Sequence, residues 1–391
     1  MTPDDDDARL TGALRWVYML QLSDFMLLLP LGPLLLRALG LPAAALGQLV
    51  FVYTLGAGVA GMVLGALIQR CDRRALLLGV YAGFALALLA TAAAPSLGWL
   101  LAARALAGLC GGVLSSLVQA AVADLVALER RAAALGRVAT GHALASVIGV
   151  PAGLAIASAG GWRLAYVALL VLALPVGMLL ARRLPPWRPD AADGPQRASA
   201  ASLLALSPAY LLTFLVSASA YAVGAYFAPY WVGNVGISEA ELAYVYLAAG
   251  ACSLVSSPLI GRLADRHGRF EVFVAVMLVS IAVIVAVTRS PVLPLAGAVV
   301  IGAAHFVTAY GRWIPALALL SALPRAELRA SFMVINGVVT QLSMGAGALV
   351  AGRMIEIDRA GRLAGFDRVG TFAVALSLVA IGLAWRLSRR R

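Results

Sequence analysis

Gly65-Ala-Leu-Ile-Gln69-Arg70-Cys71-Asp72-Arg73-Arg74 is repeated in outline at Gly261-Arg-Leu-Ala-Asp265-Arg266-His267-Gly268-Arg269-Phe270. The two copies start half a chain apart in 391 residues. Each lies between two apolar runs, and each is the second such junction in its half. A short Arg-rich hairpin at equivalent places in two halves predicts a duplicated membrane bundle.

Composition agrees with that reading. The chain is 62% hydrophobic and 12% charged, where soluble domains carry roughly 25% charged residues. Its mean hydropathy is +0.93. So few charges cannot cover the surface of a soluble protein of this length. The net charge of +12 does not point to nucleic acid, because the arginines are spread over short breaks instead of clustering with exposed aromatics. Cys71, Cys110 and Cys252 show no CxxC spacing, so neither a metal site nor a disulfide framework is expected.

Runs of about 20 residues, enough to cross a bilayer, fall at 16–36, 46–68, 75–94, 99–126, 137–159 and 164–181. A second set falls at 203–232, 240–261, 271–288, 293–321, 331–354 and 369–387. The expected fold is an all-α integral membrane protein, twelve helices in two pseudo-symmetric six-helix bundles. Pro30, Pro33, Pro151, Pro175, Pro229, Pro258 and Pro315 are compatible with spans, since neighbouring segments re-satisfy freed backbone groups in membrane helices. Small-residue patterns such as Gly58-Val-Ala-Gly61 and Gly108-Leu-Cys-Gly111 let helices approach closely.

Twelve spans place both termini on one side. The breaks of that side hold 21 of the 30 arginines, and the opposite breaks hold seven. The positive-inside rule then puts both termini in the cytoplasm; the expected location is a bacterial inner membrane. Residues 1–15, with the Asp4–Asp7 run, are expected as an acidic cytoplasmic tail; they lack the basic start of a signal peptide. Residues 16–183 make the first bundle and 203–391 the second, with a short basic tail. Between them, 184–202 contains Pro185-Pro-Trp-Arg-Pro and is expected as a semi-rigid cytoplasmic linker.

In these features the chain resembles the major facilitator superfamily along essentially its whole length. That family's loop motif is Gly-x-x-x-Asp-x-x-Gly-Arg-Arg or Lys. The second copy matches at Gly261, Asp265, Gly268 and Arg269; the first matches at Gly65, Arg73 and Arg74 but has Gln69 in the Asp position. The resemblance implies that this Asp pairs with arginines to latch the cytoplasmic side. In the first half Asp72 is the expected substitute, placed to cap the next helix, and Asp124 near the inner end of span 4 is expected to help the latch or simply to pair with nearby Arg. Arg104-Ala-Leu-Ala-Gly108 resembles a buried-Arg pattern tied to proton movement, and Gly149-Val-Pro151-Ala-Gly153 a degraded antiporter signature. Glu129-Arg130-Arg131 and Gly161-Trp162-Arg163 are also similar to efflux members.

Charges inside spans cost at least about 2.5–3.5 kcal/mol, so their retention needs a reason. Asp24, Arg104 and Arg312 are the clearest, on spans 1, 4 and 10, three of the four that line the cavity in the resembled family. Asp24 lies about 13 Å into span 1 at ~1.5 Å per residue, and either carries a proton or forms a static ion pair with Arg104. Arg104 reaches Asp24 or snorkels to the outer interface. Arg312 meets an anionic substrate, meets an acid in one conformation, or is structural. His142 and His305 relay protons, as an imidazole titrating near about pH 6.5 can, or merely pack. Gln119, Tyr221, Tyr226, Asn336 and Gln341, with Tyr230 and Trp231, are candidate cavity lining or packing residues.

The expected activity is secondary transport by alternating access, as proton-coupled efflux of small organic molecules. The alternatives are an uncoupled facilitator or importer, and a membrane sensor without flux. HExxH, GxSxG and nucleotide-loop motifs are absent from the sequence, so enzyme and ATP-driven pump are not expected. The expected partners are substrate, protons and the lipid bilayer, without nucleic acid, cofactor or metal, and the expected state is a monomer.

Overall fold

The computed structural model describes residues 3–67, 72–187, 200–358 and 361–389. Helix α1 (Pro3–Leu27) is followed by α2 (Gly32–Leu39), α3 (Ala44–Leu67), α4 (Arg73–Ala92), α5 (Leu97–Leu125), α6 (Leu128–Leu144), α7 (Val150–Gly160) and α8 (Trp162–Arg183). After a short α9 (Ala200–Leu204) come α10 (Ser207–Tyr230), α11 (Glu239–His267), α12 (Arg269–Thr288), α13 (Leu295–Gly311), α14 (Trp313–Leu320), α15 (Ala326–Gly352) and α16 (Phe366–Ser388). Among the described residues 11 helical stretches are long and apolar enough to cross a membrane, and the bent pair α1–α2 makes a twelfth. The chain is a multi-pass, helical membrane protein.

Prolines shape the spans more than the sequence reading allowed. Span 1 is broken: Pro30 and Pro33 cannot donate to the preceding turn, and α1 gives way to α2 after Leu31 N bonds the Leu27 carbonyl at 3.2 Å. Span 5 passes from α6 to α7 through a π-helical turn, Ala145–Gly149, where the Val150 amide reaches back five residues to the Ala145 carbonyl. Pro151 lies just beyond and has no N–H to continue the α pattern. Span 7 ends in a second π turn, Trp231–Val235, two residues after Pro229. Pro175 and Pro258, by contrast, sit inside α8 and α11 without dividing them.

Three further expectations change. The acidic start is not a tail: α1 begins at Pro3, and Asp7 pairs with Arg130 at 3.0 Å. The second Arg-rich hairpin is not a loop, because α11 continues through Asp265, Arg266 and His267. The whole corner is Gly268, with φ +99°, a region that glycine alone enters without strain. The fold also holds two short strands, β1 (Glu356–Ile357) and β2 (Leu363–Ala364), antiparallel with Glu356 opposite Ala364. Asn234 ties this hairpin to the end of span 7. Its amide nitrogen donates to the Leu363 carbonyl at 3.1 Å, and its oxygen accepts from the Leu363 amide at 2.8 Å.

The described chain forms two compact units. The first holds residues up to Leu31 and those from Val52 to Trp187; the second holds Gly32–Phe51 and everything from Ala200. In the first, α1 packs on α5, α6 and α8, and α4 on α5 and α8. In the second, α10 packs on α15 and α16, and α11 on α13. A core of Leu212, Val216, Phe273, Met277, Leu320 and Phe332 packs α10, α12, α14 and α15 together.

Gly32–Phe51, expected in the first bundle, belongs instead to the second unit. The cause is a close approach. Gly47 lies so near α15 that a Cβ there would overlap the Ala348 carbonyl oxygen. The Gly47 amide donates to the Tyr226 hydroxyl at 3.0 Å, and that hydroxyl donates to the Ala348 carbonyl at 3.3 Å. Arg37 on α2 adds an ion pair to Glu239 at the start of α11.

Gly47→Ala should therefore destabilise the protein more than Tyr226→Phe. The methyl group meets backbone that cannot rotate away, whereas Phe leaves a buried amide without its acceptor, at about 1–3 kcal/mol. Thermal unfolding in detergent ranks the two. A Gly47→Ala protein as stable as the parent would mean that the approach is looser than described.

Candidate functional site

In the first unit two buried charges meet. α5 carries Arg104 on the face that holds Ala107, Gly108 and Gly111, and this small-residue face lets it press on α3. A Cβ on Gly108 would overlap the Tyr53 carbonyl. That approach sets the Arg104 guanidinium 4.8 Å from the centre of the Tyr53 ring. α1 brings Asp24 to the same place, and Arg104 Nη1 donates to Asp24 Oδ1 at 2.6 Å. Both side chains are 0% exposed. Arg104 therefore does not snorkel: its charge is turned inward onto the acid.

The pair is under-bonded. Arg104 Nε and Nη2, Asp24 Oδ2, Gln21 Oε1 and the Tyr166 hydroxyl have no hydrogen-bond partner among the described residues. Gln21 Nε2 donates to the Tyr53 hydroxyl at 3.4 Å. The antiporter-like residues Gly149, Pro151 and Gly153 stand beside this node. A Cβ on Gly149 would overlap Ser23 Oγ, and one on Gly153 would come within 2.8 Å of Leu27. The two glycines, four apart, thus seat the irregular turn of span 5 and the start of α7 against Ser23 and Leu27 of α1.

At the Arg-rich end of the same unit, Asp72 caps α4, its carboxylate accepting from the Arg74 amide at 2.9 Å and the Ala75 amide at 3.1 Å. Arg73 pairs with Asp124, and Trp187 Nε1 donates to the same carboxylate at 3.1 Å. The Arg73 amide also donates to the Trp187 carbonyl at 3.0 Å. Arg74 Nη2 donates to the Ala181 carbonyl at 3.0 Å, satisfying the end of α8. Trp187 escaped the sequence reading, although a lone aromatic in a proline-rich stretch is a usable signal of docking. Gly65 lies within α3, and Gln69 falls outside the described residues.

The second copy is wired differently. Asp265 is exposed on α11 and takes no hydrogen bond or ion pair among the described residues. Arg269 Nη1 donates to the Ala318 carbonyl at 3.1 Å, near the end of α14. Gly261 is in α11, where a Cβ would make ordinary van der Waals contact with Ile314.

Arg312 stands in the second unit where α13 meets α14, and is 0% exposed. Its Nη1 donates to Ser219 Oγ at 3.3 Å, and Nε and Nη2 find no acceptor among the described residues. Ser219 bonds Ser377 Oγ and the Ala373 carbonyl of α16, each at 2.9 Å. Neither serine was singled out from the sequence.

The remaining candidates divide. His305 is buried and stacks on Phe227, with ring centres 5.5 Å apart and planes 5° from parallel. Tyr226 spends its hydroxyl on Gly47 and Ala348, Tyr230 donates to the Ser290 carbonyl at 3.0 Å, and Trp231 stacks on Phe227 at 4.3 Å. Asn336 accepts from Thr213 at 2.6 Å. The structure thus uses Tyr226 and Asn336 as joints between helices. Tyr221 and Gln341 are half-buried, while Gln119 and His142 are exposed on the first unit.

Comparison with known proteins places the chain. It belongs to the Major Facilitator Superfamily, whose model matches residues 16–348. That family is one of membrane transporters. A chloramphenicol resistance protein of Streptomyces lividans is 30% identical over 250 residues, 63% of this chain and 64% of that protein. The MFS-type transporter YbcL of Bacillus subtilis (strain 168), itself uncharacterized, is 26% identical over 355 residues, 88% of this chain and 87% of that one. The chain spans less than two thirds of the length of the Streptomyces relative. The fold is shared with a bacterial homologue of the human lysosomal transporter Spinster in an inward-facing, unoccupied conformation. The TM-score is 0.81 at 16% identity, over 100% of this chain and 98% of that one. A point mutant of the nucleoside transporter NupG superposes with a TM-score of 0.75 at 12% identity, over 97% of this chain and 99% of that one.

Arg104→Met or Asp24→Leu alone should cost about 3–5 kcal/mol, because each strands a buried charge. The double variant should recover much of the loss, and strictly additive losses would show that the two do not act as a pair. At the Arg-rich end, Asp124→Asn should lower the unfolding midpoint modestly, by about 1 kcal/mol or less for so exposed a pair. Asp265→Asn should leave it unchanged, and a loss there equal to that of Asp124→Asn would contradict the bonding described.

Proposed function

We propose that this chain is a proton-coupled exporter of small organic molecules working by alternating access, a monomer in the bacterial inner membrane with both termini in the cytoplasm. The observation that carries the coupling is the fully buried, under-bonded Asp24–Arg104 pair. A carboxylate held by one hydrogen bond to a guanidinium changes its attraction to that group when it takes a proton. Neutral Asp24 loosens its hold on Arg104, whose Nη1 is then free for a new acceptor, so protonation and helix position become linked. The irregular turn of span 5 against α1 supplies a segment that can follow such a shift. Resemblance to a chloramphenicol resistance protein supports export, and the excess of arginine in one set of breaks supports the orientation. Arg73, Arg74, Asp72 and Asp124 then form the cytoplasmic latch, with Trp187 as its anchor.

The test is uphill flux in proteoliposomes, using a panel of neutral, cationic and anionic aromatic drugs with and without an imposed pH gradient. Asp24→Asn keeps the shape of the side chain but fixes it as neutral. It should lose at least tenfold in gradient-driven accumulation while retaining passive exchange. Parental uphill transport by Asp24→Asn would remove Asp24 as the coupling group, and flux indifferent to the gradient in the parent protein would favour an uncoupled facilitator.

A further inference from the structure

Arg104 and Arg312 are the two fully buried arginines among the described residues, and the two units treat them differently. In the first unit the fourth span's Arg104 is matched by a carboxylate of the first span, Asp24. In the second unit Arg312 of the equivalent fourth span meets Ser219 of the equivalent first span, α10. No carboxylate among the described residues pairs with Arg312, although its side chain is 0% exposed. A hydroxyl can accept a hydrogen bond but cannot balance a charge. A buried cation without a counter-ion is disfavoured strongly enough that its retention calls for a function.

The geometry of the unused donors says what that function is. Arg312 Nη1 is occupied by Ser219, while Nε and Nη2 are free of partners among the described residues. Those two nitrogens form one edge of the guanidinium, the fork whose parallel N–H groups donate to both oxygens of a carboxylate. Ser377, bonded to Ser219 at 2.9 Å, places a second hydroxyl in the same cluster. The backbone beside it is also discontinuous: Pro315 has no N–H for the Gly311 carbonyl, and α13 and α14 meet at Arg312 as separate helices. Such a joint can open without breaking a regular helix.

We propose that Arg312, with Ser219 and Ser377, forms the subsite for a carboxylate of the transported molecule. The substrate supplies in the second unit the counter-ion that Asp24 supplies in the first. The substrate class is then small organic anions, an inference that rests on the transporter reading above.

Benzoate tests it against its uncharged amide, benzamide, and against chloride at matched ionic strength. The readout is the thermal unfolding midpoint of the full chain in detergent. Benzoate should raise the midpoint by about 2–4 °C, and benzamide and chloride should not. Arg312→Gln should lose the response. Ser219→Asp should supply the carboxylate internally, raising the midpoint without benzoate and abolishing the shift with it. An equal shift with chloride would mean a simple inorganic-anion site, and an equal shift with benzamide would mean apolar binding elsewhere. Either overturns the proposal, as does an unmoved parent protein or a benzoate response surviving in Arg312→Gln or Ser219→Asp. Binding is read without flux. A protein that fails here yet carries a neutral or cationic drug loses only this inference, and one that binds benzoate but moves nothing loses only the transport reading.

Discussion

Within a bilayer no water is available to take up a stray N–H or C=O, so each backbone group must find its partner in the chain. That constraint makes the protein helical, and it also decides where the helices give way. Proline removes a donor, and the irregularities of spans 1, 5, 7 and 10 all lie at or beside prolines: Pro30 and Pro33, Pro151, Pro229 and Pro315. Two of the three buried charges sit close to such points. Asp24 is one turn before the end of α1, next to the Ser23 against which the π turn of span 5 packs, and Arg312 is the residue between α13 and α14. Regular helix elsewhere leaves the places of irregular backbone as the places where movement costs least.

A second consequence concerns how helices hold one another. Lipid tails are as apolar as leucine, so association depends on close contact and on internal hydrogen bonds. Gly108 against the Tyr53 carbonyl, Gly347 against the Ala218 carbonyl and Gly47 against the Ala348 carbonyl are contacts that no side chain larger than hydrogen permits. The last of these has the widest effect. With the Tyr226 hydroxyl bridging two backbones, it joins Gly32–Phe51 to the second unit although that stretch belongs to the first two spans.

Duplication supplied two similar units, and their differences now carry the chemistry. One buried arginine is balanced by aspartate and the other is bonded only to serine. At the Arg-rich ends, one copy of the repeated motif is wired through Asp72, Asp124 and Trp187, while the other turns on Gly268 and leaves Asp265 exposed. Fold symmetry alone would not produce these differences.

Much of this was legible in the chain itself. Apolar run length, the repeated loop motif and arginine asymmetry are one-dimensional properties of membrane insertion, and they determined the class of fold, the number of spans and the residues whose charge needed explanation. Asp24, Arg104 and Arg312 could be named because a charge in an apolar run is visible without coordinates. What only the tertiary structure decided was rotation and depth: that Arg104 turns inward to Asp24, that Tyr226 and Asn336 join helices, and that Ser219 faces Arg312. A helix turns about 100° per residue, so a uniformly apolar span carries no amphipathic stripe to tell which face a polar residue occupies. In a soluble helix water marks the outer face, but lipid and helix interior are equally apolar, and only packing assigns each side chain its neighbour.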